Sequence, residues 1–317
     1  MENNKTIQHK SEILFLYDST YNIPNGDPFT GEQRYDEETK KILVSDVRMK
    51  RFARTYFEGK GLPIYVSEKT GAGKTDSKNV LTWIAQNRNP EKKTDISEIL
   101  KEQLDVRLFG GISTLGDEAK KIKVDGKECV NGHVQFTGPV QFALLNPSLN
   151  CVNLRMHQNT THFTSKAENT QGSIGTTTVV PYSVIQIHGW LNPKVAETSG
   201  MTDNDLKELF EGLWYGTSGE GSSHSRTKSG QNSLLLLEIV YAESNKKIYG
   251  VDQLISLNNK DDKNDEQLRS IEDFDFNFTK LIEIAKSDKV QKIRYYTEID
   301  KIKTILEEKD KFEKIQF

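Results

Sequence analysis

The strongest restriction on the fold is a stretch of 68 residues, 129–196, in which only four side chains are charged. Valine, phenylalanine and threonine are frequent in it, and β-branched and aromatic residues favour strands. Two runs in this stretch, residues 133–145 and 181–191, predict strands. Between them, residues 156–178 contain almost no aliphatic side chains. We expect a protruding, partly disordered hairpin there.

The rest of the chain alternates between strand and helix patterns. Apolar patterns predict strands at residues 12–18, 62–67 and 233–241. Apolar spacing after a capping residue predicts helices at residues 45–57, from Asp95 to about Phe109, and from Thr202 onward. The order strand, helix, strand, strand, helix, strand matches the ferredoxin-like βαββαβ plan. We therefore predict an α+β fold.

The length of 317 residues suits one large domain or two of ordinary size. We favour a single domain over residues 1–317 that carries long insertions. The predicted insertions are a polar loop at 19–44, a helical insertion at 67–130 and the hairpin at 156–178. Residues 246–317 form a C-terminal extension without a motif that indicates its role.

Composition excludes several classes of protein. Lys and Arg number 43 against 46 Asp and Glu, a net charge of −3, which argues against a histone-like basic protein but leaves a local basic patch open. No run of 18 apolar residues predicts a membrane span, and the polar N-terminus predicts no signal peptide. Cys129 and Cys151 are the only cysteines, so a zinc site or a disulfide scaffold is not expected. We predict a cytoplasmic protein.

The predicted helix at 45–57 has a cationic face. At 100° per residue, Arg48, Lys50, Arg51 and Arg54 project opposite the apolar positions. A solvated surface is one interpretation of such a face. The other is contact with phosphates, because arginine presents a planar fork that matches phosphate oxygens.

A second basic stretch lies in a Gly/Ser-rich loop before the last predicted strand. Ser225, Arg226, Lys228 and Gln231 belong to it, and small residues let a backbone approach a phosphate closely. An ordinary flexible loop is the alternative. Binding of a polyanion requires that the folded chain bring this stretch next to the cationic helix.

Other chemistries have weaker support. Residues 70–75 resemble the end of a phosphate-binding loop, but Glu68 replaces its first glycine. His157 and His162 lack a third ligand for a metal. Asp18, Asp27 and Asp46 could hold Mg²⁺ for phosphodiester cleavage, although capping and turn roles explain them as well. A metal-dependent ribonuclease that uses Asp27 or Asp46 is thus the alternative function.

Five short motifs occur in the order of a known family. The motifs are residues 25–28 (NGDP), 44–51 (VSDVRMKR), 105–111 (DVRLFGG), 138–142 (GPVQF) and 225–231 (SRTKSGQ). Together they resemble the backbone subunit of type I CRISPR Cascade complexes, the Cas7 family of the RAMP superfamily, and most closely its subtype I-B branch.

The resemblance implies an RRM-like palm, a β-hairpin thumb at 156–178 and a helical insertion. It also implies a non-catalytic protein without a cofactor, whose copies stack head-to-tail along a CRISPR guide RNA with other Cascade subunits. The guide would then pair with target DNA. The predicted RNA-binding residues are Asn25, Arg48, Lys50, Arg51 and Arg54, with His157, Thr161 and Lys166 in the hairpin and Ser225, Arg226, Lys228 and Gln231 in the second phosphate loop.

Overall fold

The computed structural model describes residues 5–67, 76–161, 173–218 and 229–317, with the backbone alone at 159–161 and 173–175. The strands in chain order are β1 (Ser11–Asn22), β2 (Tyr35–Asp36), β3 (Lys41–Ser45), β4 (Gly110–Thr114), β5 (Lys123–Val124), β6 (Lys127–Glu128), β7 (His133–Thr137), β8 (Val140–Phe142), β9 (Leu145–Pro147), β10 (Arg155–Thr161), β11 (Ser173–Leu191), β12 (Gln231–Tyr241), β13 (Ser256–Asn259), β14 (Phe274–Asn277), β15 (Val290–Tyr296) and β16 (Phe312–Lys314). The α-helices are α1 (Asp46–Gly59), α2 (Ser77–Asn87), α3 (Ile96–Lys101), α4 (Leu104–Phe109), α5 (Pro193–Ser199), α6 (Asp203–Ser218), α7 (Thr279–Ala285) and α8 (Asp300–Glu307). Short 3-10 helices lie at Gly116–Lys121, Val251–Gln253, Asp265–Gln267 and Ile271–Asp273.

The fold is mixed α/β and is built around one mixed sheet. Its strands follow the order β10–β11–β1–β12–β15–β16, and β8 also pairs with β11. The pairs along this path are antiparallel except for β15 with β16, which is parallel. β1 lies in the middle of the sheet, so the strand predicted at 12–18 is confirmed and is buried on both faces.

The two faces of the sheet are covered by different parts of the chain. Ile13, Phe15 and Tyr17 of β1 pack against α1 and α6, and we call this side the helix face. Leu14 and Leu16 point to the opposite side, where the C-terminal extension covers the sheet; we call this the extension face. A separate apolar cluster fills the insertion that contains α2 and α3. The extension therefore has a structural role that the sequence did not indicate.

The helices next to the sheet begin as the sequence predicts. α6 starts with a reciprocal cap, since Thr202 Oγ1 accepts from Asp205 N at 3.2 Å and an Asp205 carboxylate oxygen accepts from Thr202 N at 2.9 Å. α1 starts after Ser45, but the Ser45 side chain makes no cap hydrogen bond. The predicted apolar stripe of α1 is buried through Met49, Phe52 and Ala53.

The strand predicted at 62–67 is wrong. The buried carboxylate of Asp105 accepts from Tyr65 N at 2.7 Å and from Val66 N at 3.1 Å. Pro63 O accepts from Leu104 N at 2.8 Å. These bonds satisfy the segment's backbone without a strand partner, so it forms an irregular connection.

Two predicted continuous elements are interrupted. The helix from Asp95 to Phe109 is divided into α3 and α4, and this break places Asp105 in the first turn of α4. The strand at 133–145 is divided into β7 and β8 at Gly138, where an added Cβ would lie 2.1 Å from the Phe109 carbonyl carbon. Close backbone contact at this point requires glycine.

The loop predicted at 19–44 is more ordered than its polar sequence indicates. β1 continues to Asn22, and β2 and β3 occupy the end of the segment. Asn25 and Gln33 are buried, and the Gln33 side-chain oxygen accepts from Asn25 N at 2.9 Å. Polar side chains therefore hold this segment against the fold, where a hydropathy pattern predicts an exposed loop.

Candidate nucleic-acid interface

A groove of about 560 Å³ lies at the amino end of α1. One wall is the segment around Asn25 and Arg34, and the other is Leu144 with Leu145. Arg48 and Arg51, one turn of α1 apart, both line this groove. We call it the arginine groove.

Asn25 fixes the beginning of α1. Its side-chain oxygen accepts from Ser45 N at 2.6 Å and from Ser45 Oγ at 2.8 Å, and the residue is 8% exposed. This carboxamide thus holds the residue that precedes α1 and ties the motif at 25–28 to the motif at 44–51. Its described hydrogen bonds are internal, so Asn25 positions the helix that carries the arginines.

Arg48 lies over an aromatic ring. Its guanidinium carbon lies 3.9 Å from the centroid of the Phe52 ring, an arrangement with cation–π attraction. Burial lowers the pKa of Arg48 to about 10, the nearby Tyr17 raises this pKa and Arg51 lowers it. The side chain remains cationic at neutral pH. A phosphate between the two arginines would relieve their repulsion.

Arg34 is a third arginine of the groove, and sequence reasoning missed it. Its Nη1 lies 3.3 Å from Asp27 Oδ2, and its Nε is buried without a hydrogen-bond partner among the described residues. Buried donors in native proteins usually have partners, so this one is available for a ligand oxygen or a water molecule. A single arginine in a polar segment gives no pattern by which it could have been found.

Lys50 and Arg54 do not line the arginine groove, and each has a close carboxylate partner. Lys50 Nζ lies 2.9 Å from Asp46 Oδ2. Arg54 Nε lies 2.9 Å from Oδ2 of the buried Asp105. The cationic face predicted for α1 is thus divided by position: Arg48 and Arg51 line the groove, whereas Lys50 and Arg54, which we call the paired cations, lie outside it.

The second basic stretch lies mostly outside the described residues. Ser225, Arg226 and Lys228 belong to that part, so their positions are not described. The carboxyl-side flank lies against β1: Ser229 O accepts from Asn22 Nδ2 at 2.7 Å, and Gly230 O accepts from Thr20 N at 3.1 Å. Gln231 is 2% exposed and pairs in register with Ser19.

The amino-side flank of that stretch lies on α1. α6 ends at Ser218, and an added Cβ on its Gly216 would lie 2.5 Å from Phe52 O, so the two helix backbones touch there. Phe52 is the residue on which Arg48 stacks. The described residues before and after this loop therefore lie beside Phe52 and beside the end of β1, respectively.

The described arms of the hairpin are paired strands. Residues 155–161 of β10 are antiparallel to residues 173–179 of β11. Met156 and His157 are exposed on the first arm. The Thr161 side chain, His162 and Lys166 lie outside the described residues.

The three aspartates considered for metal binding have separate partners. Asp18 accepts from Tyr182 Oη at 3.1 Å and from Asn232 Nδ2 at 2.9 Å, and burial raises its pKa. Asp27 and Asp46 pair with Arg34 and Lys50, respectively. Within the described ranges, no group of three His, Cys, Asp or Glu residues could hold a metal ion.

Three other sequence observations have simple outcomes. The phosphate-loop-like segment at 70–75 lies outside the described residues. Cys129 and Cys151 are free thiols. No helix in the described part of the chain has the length and apolar character to span a membrane.

Comparisons with known proteins agree on one family. A family model described as "CRISPR-associated protein Cas7" matches residues 9–279. A Haloferax volcanii protein named "CRISPR-associated protein Cas7" is 30% identical over 290 residues, which cover 88% of this chain and 83% of that protein.

Two solved structures share the fold. A chain of a "CRISPR RNA-guided surveillance complex" superimposes with a TM-score of 0.52 at 14% identity, covering 92% of this chain and 90% of that one. A chain of a "CRISPR RNA-guided surveillance complex, pre-nicking" also gives 0.52, at 12% identity, with 97% and 96% covered.

Proposed function

The chain belongs to the Cas7 family of CRISPR-associated proteins, and from this premise we propose that it is the guide-RNA-binding backbone subunit of a type I, I-B-like Cascade complex. Copies of the chain stack head-to-tail along the guide and present it for pairing with target DNA. In this arrangement base pairing reads the target sequence, and the protein holds the backbone and shape of the guide.

The arginine groove is the observation that carries this proposal. Arg48 and Arg51 line one groove, and both described flanks of the second basic stretch lie beside Phe52 or β1. Phosphates of a single strand need cations from separate elements in one track. Contact with the Phe52 ring also restrains the Arg48 guanidinium, whose planar fork suits contact with two phosphate oxygens.

We further propose that β12, β1, β11 and β8 form an RRM-like palm. The order β12–β1–β11–β8, with α1 and α6 on one face, supports this proposal. This order matches that of a ferredoxin-like sheet. In it β8 takes the place of the second strand, which the sequence predicted at 62–67. The helix face supplies the arginine groove.

The hairpin of β10 and β11 is proposed as a thumb that enters between guide bases. Its paired arms and the exposed Met156 and His157 support this role. A polar hairpin with few charges can contact bases without binding every phosphate nearby.

Stacking of copies is supported by the charge of the chain. A net charge of −3 with a local cationic groove limits repulsion between neighbouring copies. Head-to-tail contacts are heterologous and generate open helical filaments. Such a filament on a guide RNA would act in the cytoplasm.

A salt titration of RNA binding tests the proposed site. We expect the triple variant Arg48→Ala/Arg51→Ala/Arg226→Ala to bind RNA more weakly and with a flatter dependence on salt, because each lost phosphate contact removes about 0.7 from the slope for a single strand. Lys50→Ala is the matched control, since it removes a cation of the same helix that has its own carboxylate. RNA binding unchanged in the triple variant would reject the site.

RNA recovered with the purified protein gives an independent measurement. A backbone subunit that assembles on guides should retain RNA of uniform length. Heterogeneous fragments would instead indicate non-specific binding of a polyanion.

The proposed subunit has no catalytic activity. The partners of Asp18, Asp27 and Asp46 support this, since each carboxylate is occupied within the fold. Incubation of the protein with RNA, with and without EDTA, separates scaffold from ribonuclease. Cleavage that requires metal and is lost in Asp27→Ala would overturn the scaffold proposal.

A further inference from the structure

A second groove, of about 540 Å³, opens where the C-terminal extension leaves the sheet uncovered. Its floor is the end of β11, where Gln186, His188 and Trp190 pair in register with Leu16, Leu14 and Glu12. Opposite residues of an antiparallel pair share a face, so these side chains lie on the extension face. Asp252 and Gln253 of the extension form one of its edges. We call it the β11 groove.

Trp190 and His188 form an aromatic platform in this groove. Their ring centroids are 4.2 Å apart, and Trp190 is 40% exposed. His188 Nε2 lies 2.7 Å from an oxygen of the buried Glu12 carboxylate, whose other oxygen accepts from Tyr241 Oη at 2.7 Å. The platform is therefore held from below while the indole stays open, which suits stacking of another planar ring.

Gln186 provides an unused acceptor beside the platform. Its Nε2 donates to Asp252 O at 2.6 Å, and this bond fixes which end of the amide is the oxygen. Gln186 is only 5% exposed, and its Oε1 is buried and accepts no hydrogen bond from any residue in the described ranges. A buried acceptor of this kind favours a ligand that brings an N–H group.

The two grooves are neighbours. Leu145 lines both of them, with its apolar side chain 44% exposed between the arginines and the aromatic platform. A nucleotide has a matching division of chemistry, with an anionic phosphate at one end and a planar base carrying N–H donors at the other. The lysine and aspartate side chains in the lining of the β11 groove are one cation, Lys41, and one anion, Asp252. This balance of charge suits an uncharged ring.

We propose that the β11 groove binds a base of the RNA strand whose phosphates contact Arg48 and Arg51, with the base stacked on Trp190 and an N–H group donated to Gln186 Oε1. This inference rests on the proposed function of the arginine groove. It assigns a base-binding site on the sheet itself, separate from the hairpin. A site that binds by stacking has little preference among the four bases, because every base has a π-face.

Tryptophan fluorescence reports on this site directly. The chain has three tryptophans; Trp214 is 2% exposed, Trp83 lies in the helical insertion, and Trp190 is open. We expect an adenylate oligonucleotide to quench the emission of the full-length protein, and Trp190→Phe to lose that quench while still binding RNA. Ribose 5-phosphate, which has a phosphate but no base, should not quench. Quenching by AMP at concentrations as low as those of the oligonucleotide would assign the groove to a free nucleotide and overturn the proposal.

Affinity measurements supply the second test. Trp190→Ala should weaken RNA binding by about 5- to 150-fold, the usual range for a lost base stack. Gln186→Leu should weaken it by about 2- to 12-fold. Tyr249→Ala, which removes an aromatic ring that is 81% exposed and does not line the β11 groove, is the matched control and should bind normally. Thermal unfolding of each variant verifies that it folds.

The outcomes distinguish this inference from the proposed function. If Arg48→Ala/Arg51→Ala weakens RNA binding but Trp190→Ala does not, and no quench depends on Trp190, the β11 groove binds no base and the RNA-binding proposal stands. If neither set of substitutions changes RNA affinity, both proposals fail. Should Trp190→Ala not fold, the quench lost in Trp190→Phe decides.

Discussion

Two sets of cations on α1 have the same appearance in the sequence and different surroundings in the fold. The groove arginines, Arg48 and Arg51, line an open groove, and Arg48 rests on Phe52. The paired cations, Lys50 and Arg54, lie against Asp46 and Asp105. Charge pattern along the helix therefore does not decide which cations line an open groove; the segments packed around the helix do.

The difference has an energetic consequence. Removing one member of an ion pair with a buried carboxylate is destabilising, because the other member is left uncompensated. Arg48 and Arg51 are like charges in one groove, so an anion between them is favourable. We therefore expect substitutions at the Arg54–Asp105 pair to change unfolding most, and substitutions of the groove arginines to change RNA affinity.

The largest expected effect is that of Asp105→Ala. This variant leaves Arg54 without its partner and removes the acceptor of Tyr65 N and Val66 N. We expect the free energy of unfolding to fall by about 3–5 kcal/mol, as for other broken buried pairs. Chemical denaturation measures this change. Asp46→Ala is the control, because it removes the carboxylate partner of Lys50, which is more exposed than Asp105. A fall in the free energy of unfolding of less than about 1 kcal/mol would mean that the Arg54–Asp105 pair matters no more to stability than the groove arginines do.

Arg48→Ala should show the opposite pattern. Loss of a charge-assisted contact costs about 1.5–3 kcal/mol of RNA binding, roughly 10- to 150-fold in affinity. Unfolding should change little, because the substitution also removes the repulsion with Arg51. Fluorescence anisotropy of labelled RNA and a denaturation curve on the same sample measure both quantities. A large fall in the free energy of unfolding with unchanged RNA affinity would mean that Arg48 supports the fold, as the paired cations do, and does not bind RNA.

Part of this contrast could be predicted from the sequence. The 3.6-residue period gives the buried stripe of α1, and Asp46 four residues before Lys50 is a local pair that spacing alone indicates. The partner of Arg54 lies 51 residues away in the sequence. It reaches Arg54 only because the predicted helix at 95–109 breaks before Leu104, and no local pattern indicates that break.

The family motifs were predictable as a set, and most of their structural roles were not. The resemblance to the Cas7 family is confirmed. In the fold, Asn25 holds Ser45, and Gly110 approaches the backbone of residues 136–138, where a Cβ would lie 2.3 Å from Phe136 O. Arg107 forms two hydrogen bonds to Asp205, at 3.0 and 2.7 Å. Such contacts join distant segments, so a list of motifs shows which residues matter before it shows why.

A smaller effect is expected at Tyr17, the buried neighbour of Arg48. Its hydroxyl has no hydrogen-bond partner among the described residues, and burial raises its pKa. Tyr17→Phe removes an unsatisfied polar atom, so we expect the free energy of unfolding to rise by about 1 kcal/mol. RNA affinity should be measured on the same variant, so that the effects on unfolding and on RNA binding can be compared. A fall in both quantities would mean that the hydroxyl supports Arg48 through a bound water molecule.

Lys50→Ala should have the smallest effect and is the strictest test of the division. The pair with Asp46 is a local i, i+4 pair within α1, and such pairs contribute about 0.3–0.5 kcal/mol to stability. Because its charge is already compensated by Asp46, RNA affinity and its salt dependence should stay close to those of the unmodified chain. A reduction in affinity like that of Arg48→Ala would mean that RNA displaces Asp46 and that Lys50 joins the groove arginines. Asp46 itself lines the groove, so the double variant Asp46→Asn/Lys50→Ala decides between these two cases: a gain in RNA affinity in Asp46→Asn should disappear in the double variant if the ion pair withholds Lys50, and persist if Lys50 lies away from the strand.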